Sequence, residues 1–227
     1  MKTRSFIRAL SALFIGLTIG AGSAQATDWP NRPIRMIVPA GPGSGTDIMA
    51  RLICEHLSRA LKQPIVIDNK VGANGIIGND LASKATPDGY TLLFGNASSV
   101  SLNAALRNNL PYDTIKDFRP IVQLSNGGIL IVADAALRIH TLPEFIAYVR
   151  ANPGQNYASW GIGSTGHLNM EALIAEYGLK MQHVAYRAMG QILTDLKGNQ
   201  IKIATIDARS SIPLIKSGVV TPIAMSG

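Results

Sequence analysis

A chain of 227 residues that is 47% hydrophobic, 15% charged and 6% aromatic can bury a core in one or two units and lacks the composition of a disordered protein. Its 22 glycines and 12 prolines are scattered rather than gathered into tracts, which excludes a coiled coil, a collagen-like repeat or a low-complexity scaffold. The formal net charge of +7 is not concentrated in any run of five or six bases, so nucleic acid is not implied as a partner.

In chain order, the first feature is a basic start (Lys2, Arg4, Arg8), an apolar stretch over 9–22 and the small-residue ending Ala24-Gln25-Ala26, which together predict a secretory signal peptide over 1–26. The apolar stretch is shorter than the ~20 residues that span a bilayer, so a soluble exported product is expected. Removing the leader leaves 201 residues and a net charge of +4, a mild excess that favours small anions but that an exported protein without a charged ligand can also carry. Cys54 is the only cysteine and is expected to be a buried thiol on a helix, with no internal disulfide.

The mature chain alternates β-rich runs with helical patterns. Strands are predicted over 34–38, 65–67 and 90–94, with helices over 46–61, after the glycine-rich turn 72–78, and after 95–99. In the first helix Ile48, Leu52, Ile53 and Leu57 are expected on one side. This β-loop-α order is that of a parallel sheet covered by helices. The alternation restarts near Ile121-Val122-Gln123-Leu124. Strands follow over 129–132, 156–159, 182–185, 201–206 and 219–224. Helices are predicted from the Thr141-Leu142-Pro143-Glu144 capping box to about Ala151, over 167–177, near 191–196 and near 211–216. The fold class expected is α/β, with lobe 1 over 27–122, lobe 2 over 123–219, and 220–227 starting a return to lobe 1.

Ligands of open parallel sheets sit beyond the carboxyl ends of the strands, where helix N-termini point outward. Three such turns are rich in Gly and Ser/Thr: residues 43–47, 95–99 and 161–166. The loop Gly41-Pro42-Gly43-Ser44-Gly45-Thr46 approaches a dinucleotide fingerprint but has Thr46 in place of the third glycine, and Pro42 stiffens it; a nucleotide-dependent oxidoreductase using residues 41–45 is the competing reading. Ser164 near His167 suggests a serine hydrolase, yet Ile162 stands where the nucleophile elbow needs glycine; His167 otherwise reads as a helix-start residue bonded to its own turn. One cysteine and four dispersed histidines offer no metal spacing. No catalytic residue, metal or cofactor is expected. Backbone N–H groups at helix starts with neighbouring hydroxyls instead suit a small carboxylate, each charge-assisted bond contributing about 1.5 to 3 kcal/mol.

Ordered motifs carry a resemblance. They are Trp29-Pro30 with Pro33-Ile34-Arg35 and Ile37-Val38-Pro39, Gly43 with Thr46-Asp47 and Ala50-Arg51, Asp68-Asn69 with Gly72-Ala73, Gly75 and Gly78, Pro87-Asp88-Gly89-Tyr90, Leu110-Pro111-Tyr112-Asp113, Asn156-Tyr157-Ala158-Ser159, Gly161 with Gly163-Ser164 and His167-Leu168, His183-Val184 with Tyr186, and Ile215-Lys216 with Gly218. Through them the chain resembles the Bug family, extracytoplasmic receptors of tripartite tricarboxylate transporters. The resemblance implies a two-lobed (type II-like, Venus flytrap) binding protein, a monomer that captures a carboxylate and hands it to membrane permease subunits. The ligand-binding residues it implies are Gly43, Ser44, Thr46, Asp47, Asn96, Ala97, Ser98, Ser164, Thr165, Gly166, His167 and Asp207; Arg209 is added from its place after the carboxyl end of the strand 201–206, the end that faces the cleft in a parallel sheet. Asp47 would accept a hydrogen bond from ligand or water, or else complement its helix dipole. Arg209 would grip a second carboxylate, or else pair with Asp207 or face water. Ser44, Ala185, Ala188 and Arg209 depart from the family pattern. The family also continues for roughly a third of its length beyond the last residue here, so the C-terminal part of the first lobe is expected to be missing.

Overall fold

The computed structural model describes residues 28–226; the expected signal peptide lies outside them. Of a short leading unit, residues 28–31 are described, and from Arg32 onward the chain forms a second unit that contains both sheets. In the first sheet, β1 (Ile34–Val38) lies between β2 (Ile65–Asn69) and β3 (Thr91–Leu93), parallel to both. A central strand is covered on both faces, which is why it reads as an apolar run; Ile34, Ile37 and Val38 are fully buried.

Helix α1 (Gly45–Leu61) starts on the Ser44 cap, carries Asp47 in its first turn and Arg59 in its last, and ends on Lys62 in the left-handed conformation. It packs on β1 through Ala50 and Cys54, which meet Met36 and Val38. Of the four residues expected on one side, Ile53 and Leu57 are half-buried, while Ile48 and Leu52 are 41% and 48% exposed. The small residues sit on the line nearest the sheet, where they let the helix approach closely. Helix α2 (Ile76–Ser83) follows the glycine-rich turn as expected. The third expected helix is instead a π-type turn, Ser98–Leu102, followed by the single turn Asn103–Leu106. No strand forms at 121–124, where Ile121 and Val122 are 79% and 66% exposed.

The second sheet has the order β6-β5-β7-β4-β8. Its strands are β4 (Ile129–Asp134), β5 (Gln155–Ser159), β6 (Met181–Ala185), β7 (Ile203–Asp207) and β8 (Val220–Ser226). β5 is parallel to β6 and β7, but β4 runs antiparallel to both β7 and β8. Four of the five strands therefore run in one direction and β4 alone runs against them, a mainly parallel sheet as expected with one reversed strand. β8 pairs along β4, so these residues lie in the second sheet rather than returning to the first. Helices α3 (Leu142–Ala151), with its capping box formed, and α4 (Thr165–Tyr177) cover one face through Phe145, Val149 and Met170. Helices α5 (Met189–Lys197) and α6 (Ala208–Lys216) cover the other through Ile192, Leu196 and Leu214. Each large apolar side chain so buried contributes about 1.5–3 kcal/mol. No helix among the described residues is long and apolar enough to cross a membrane.

Candidate functional site

The loop leaving β1 is fixed by Asp47. Its Oδ2 accepts from the Gly43 N–H and the Arg51 Nε–H, both at 2.9 Å, and its Oδ1 from Asn69 Nδ2 at 3.0 Å. Burial alone would raise the acid's pKa, but the bonds from Arg51, Gly43 and Asn69 outweigh it and hold the carboxyl below its ordinary value. Both oxygens of this buried group thus face protein donors. Gly43, at φ +78, takes a conformation few other residues adopt, and Ser44 Oγ accepts from the Asp47 N–H at 3.3 Å.

The turn after β3 meets this loop from the side. Asn96 Oδ1 accepts from the Ser99 N–H at 2.9 Å while its Nδ2 donates to Thr46 Oγ1 at 3.1 Å. Ala97 is exposed at the turn, and Ser98 beside it is buried.

The second lobe supplies the start of α4. Ser164 caps it, its Oγ accepting from the His167 N–H at 3.2 Å and donating to Ser159 Oγ at 3.4 Å. The Ser164 side chain is fully buried. The hydroxyl expected to face an anion therefore points into its own turn. Ser164→Ala is predicted to lower stability by about 1 kcal/mol, as for a lost cap, while changing ligand affinity less than Thr165→Val does. Denaturant titration and calorimetry on both variants check this. Thr165 makes the cross-lobe contact: its N–H donates to Ser98 Oγ at 3.0 Å, and the two hydroxyls also lie 3.0 Å apart. Gly166 packs so closely that a Cβ there would sit 2.5 Å from Thr205 Oγ1.

His167 Nδ1 accepts from the Gly163 N–H at 3.2 Å, so the helix-start reading holds and this nitrogen is not available as a base. Behind it, His183 stacks on Tyr157 and lies 4.1 Å, centroid to centroid, from the His167 ring; its Nε2 is 2.7 Å from Ser159 Oγ. Burial, and then the neighbouring His167, push the His183 pKa down to about 4. Tyr157 donates to Glu171 and is held in its protonated form, chiefly by burial and then by that bond.

Asp207 caps α6, accepting from the Ser210 N–H at 2.9 Å and the Ser210 hydroxyl at 2.6 Å. It also accepts from the Gly45 N–H of the first lobe at 3.1 Å. Arg209 is exposed and makes no ion pair with Asp207, which settles one of its expected alternatives.

The starts of α1, α4, α6 and the 98–102 turn are thus joined by the Gly45–Asp207, Thr46–Asn96 and Ser98–Thr165 bonds. Helix starts carry a positive dipole end, which suits an anion, and here the N–H groups of Gly45, Asp47, Thr165, His167 and Ser210 are already held by protein acceptors. Among the described residues no group of three metal-ligating side chains lies together. Sequence reasoning missed Asn74, whose Nδ2 reaches Gly163 O across the lobes at 3.3 Å. The available signal was an Asn between glycines at 72 and 75, a residue type that tolerates the left-handed conformation it adopts here (φ +54).

Residues 49–227 match the family described as tripartite tricarboxylate transporter family receptor. The chain is 37% identical over 219 residues to a UPF0065 protein of Bordetella pertussis, covering 96% of this chain and 67% of that protein. Among solved structures, Rpa4515 of R. palustris with adipate matches at TM-score 0.83 and 31% identity, over 87% of this chain and 67% of the other. MatC (Rpa3494) from Rhodopseudomonas palustris with bound malate matches at TM-score 0.80 and 28% identity, over 88% and 68%. The chain spans about two thirds of the length of each.

Proposed function

Since the chain belongs to the tripartite tricarboxylate transporter receptor family, we propose that it is a periplasmic solute-binding protein that captures a small carboxylate between its lobes and delivers it to the permease subunits of such a transporter. The observation that carries this reading is the meeting of helix starts from both lobes through Thr46, Asn96, Ser98 and Thr165. A carboxylate entering there replaces hydroxyl-to-hydroxyl bonds by charge-assisted ones, each about twice as strong as a neutral bond. Ala97 and Gly166 approach it through backbone N–H groups, while Gly43, Ser44, Asp47, Ser164 and His167 hold the turns in shape. The structures with adipate and malate support dicarboxylates as the first class to test. The competing oxidoreductase finds no support in a family of receptors, and the loop it needs is closed by Asp47.

A thermal-shift screen of the full chain against malate, adipate, citrate, acidic amino acids and nicotinamide nucleotides tests the proposal. At a hundred times Kd a ligand adds about 2.7 kcal/mol of apparent stability. Stabilisation by nucleotides alone would overturn the receptor reading.

Two variants locate the ligand. Ser98→Ala is predicted to weaken malate binding by about 1 to 3 kcal/mol in calorimetry, the loss of one hydrogen bond to a charged group. Arg209, exposed in the first turn of α6, is proposed to grip the far carboxylate of a dicarboxylate bidentately. Arg209→Ala then weakens adipate by about 1.5 kcal/mol or more, with a smaller effect on a matched monocarboxylate. Equal effects on both would place Arg209 outside the pocket.

A further inference from the structure

We propose that Asp207 is a clasp that holds the lobes together before any ligand arrives, one carboxylate serving a helix start from each lobe. On its own side it is fixed by the Ser210 N–H at Oδ1 (2.9 Å) and the Ser210 hydroxyl at Oδ2 (2.6 Å). On the other side Oδ2 accepts from the N–H of Gly45, 162 residues away, at 3.1 Å. The negative group therefore sits between the positive ends of α1 and α6, and because its own lobe already orients it, little side-chain freedom is lost when the lobes meet. The approach is tight: a Cβ on Gly45 would lie 2.3 Å from Oδ1 and 2.7 Å from the carboxylate carbon, so a side chain there would displace the carboxylate. The other bonds across this seam, Ser98–Thr165 and Asn74–Gly163, join neutral groups. Asp207 supplies the charge-assisted one.

A contact that favours closure without ligand lowers the cost of closing on it, so the clasp also raises affinity for whatever the cleft takes. This second consequence rests on the receptor reading; the first does not. Two substitutions break the clasp from opposite sides while sparing the helices. Asp207→Ser keeps a good cap for α6 but is too short to reach Gly45, and Gly45→Ala places a favourable helix residue whose methyl displaces the carboxylate.

Spin labels on exposed positions of α1 and α6 (His56→Cys and Lys216→Cys; Cys54 is buried) report the lobe separation in the full chain without ligand. The expected result is a single short-distance population for the parent, shifted to longer distances in each variant. Malate affinity falls about tenfold in each, as for one lost hydrogen bond to a charged group. The double variant is no worse than either single one, since both remove the same contact. Parent-like distances in both variants, or losses that add in the double variant, would overturn the clasp. If malate binds none of the proteins while the distances shift as expected, the clasp stands and the dicarboxylate assignment falls. If one variant does not fold, the other, made on the opposite lobe, decides alone.

Discussion

Asp47→Ala should lower stability by about 2 to 3 kcal/mol and free the loop that precedes α1, the loss expected when a buried, hydrogen-bonded charge is removed from partners that can partly rehydrate. Arg51 is half exposed and recovers water, whereas the Gly43 N–H and Asn69 Nδ2 lose their acceptor inside the loop. The effect has a pH signature. Because the folded-state pKa of Asp47 lies below its unfolded value of 3.8, its stabilisation is present above that value and is lost as pH falls through the folded one. Denaturant titrations of parent and variant should therefore differ most at neutral pH and converge in acid. Faster exchange of the Gly43 amide in the variant would place the change in the loop. A variant as stable as the parent at pH 7 would show that the Asp47 bonds contribute nothing net.

The second large effect belongs to His183. With a folded pKa of about 4 against 6.5 unfolded, it stays neutral in the native state while the unfolded chain takes up a proton between those values. The sign follows: stability falls as pH drops from about 6.5 toward 4. The full shift corresponds to roughly 3 kcal/mol, and partial access of water to the ring reduces this to about 2 kcal/mol at pH 4.5. The groups facing the ring are Tyr157 and Ser159 from β5, with His167 and Glu171 contributing from α4. His183→Gln removes the titration and keeps a polar partner for Ser159, so its stability should vary less between pH 7 and pH 4.5 than the parent's. An imidazole that titrates near 6.5 by NMR would contradict the buried, neutral state.

Much of the frame was legible in the sequence because its signals are local. β1 has four apolar residues of five and is bounded by prolines, and the Thr141–Glu144 capping box formed as its spacing requires. Strand direction was legible except at β4. Alternation of strands and helices suggested a parallel second sheet, but β4 follows a long connection and enters antiparallel to β7, a choice made by packing between distant segments. The sheet-facing line of α1 is not set by its largest apolar residues either: Ala50 and Cys54, the latter buried as expected, take those positions by size and leave Ile48 and Leu52 outside.

At the site, the turns expected to line the cleft are brought together, by bonds that no local pattern shows. Ser44, Ser164 and Asp207 were read as ligand contacts, yet each side chain caps its own helix, because a short acceptor just before a helix finds free N–H groups nearer than any ligand. Asp47 stands in the first turn of its helix, as one of its alternatives had it, and its three protein donors belong to neither alternative. The bonds Thr46–Asn96 within the first lobe's rim and Ser98–Thr165 between lobes depend on separations of 50 and 67 residues that no local pattern encodes.

The central claim is that the helix starts meeting between the lobes bind a small dicarboxylate, and calorimetric titration of the full chain with malate and with adipate, each repeated on Ser98→Ala, tests it most directly. Three or four charge-assisted bonds predict one site with a dissociation constant near the micromolar range, about −8 kcal/mol, weakened by the variant. Saturable binding with identical affinity in parent and variant, or no binding of either dicarboxylate to folded protein, would contradict it.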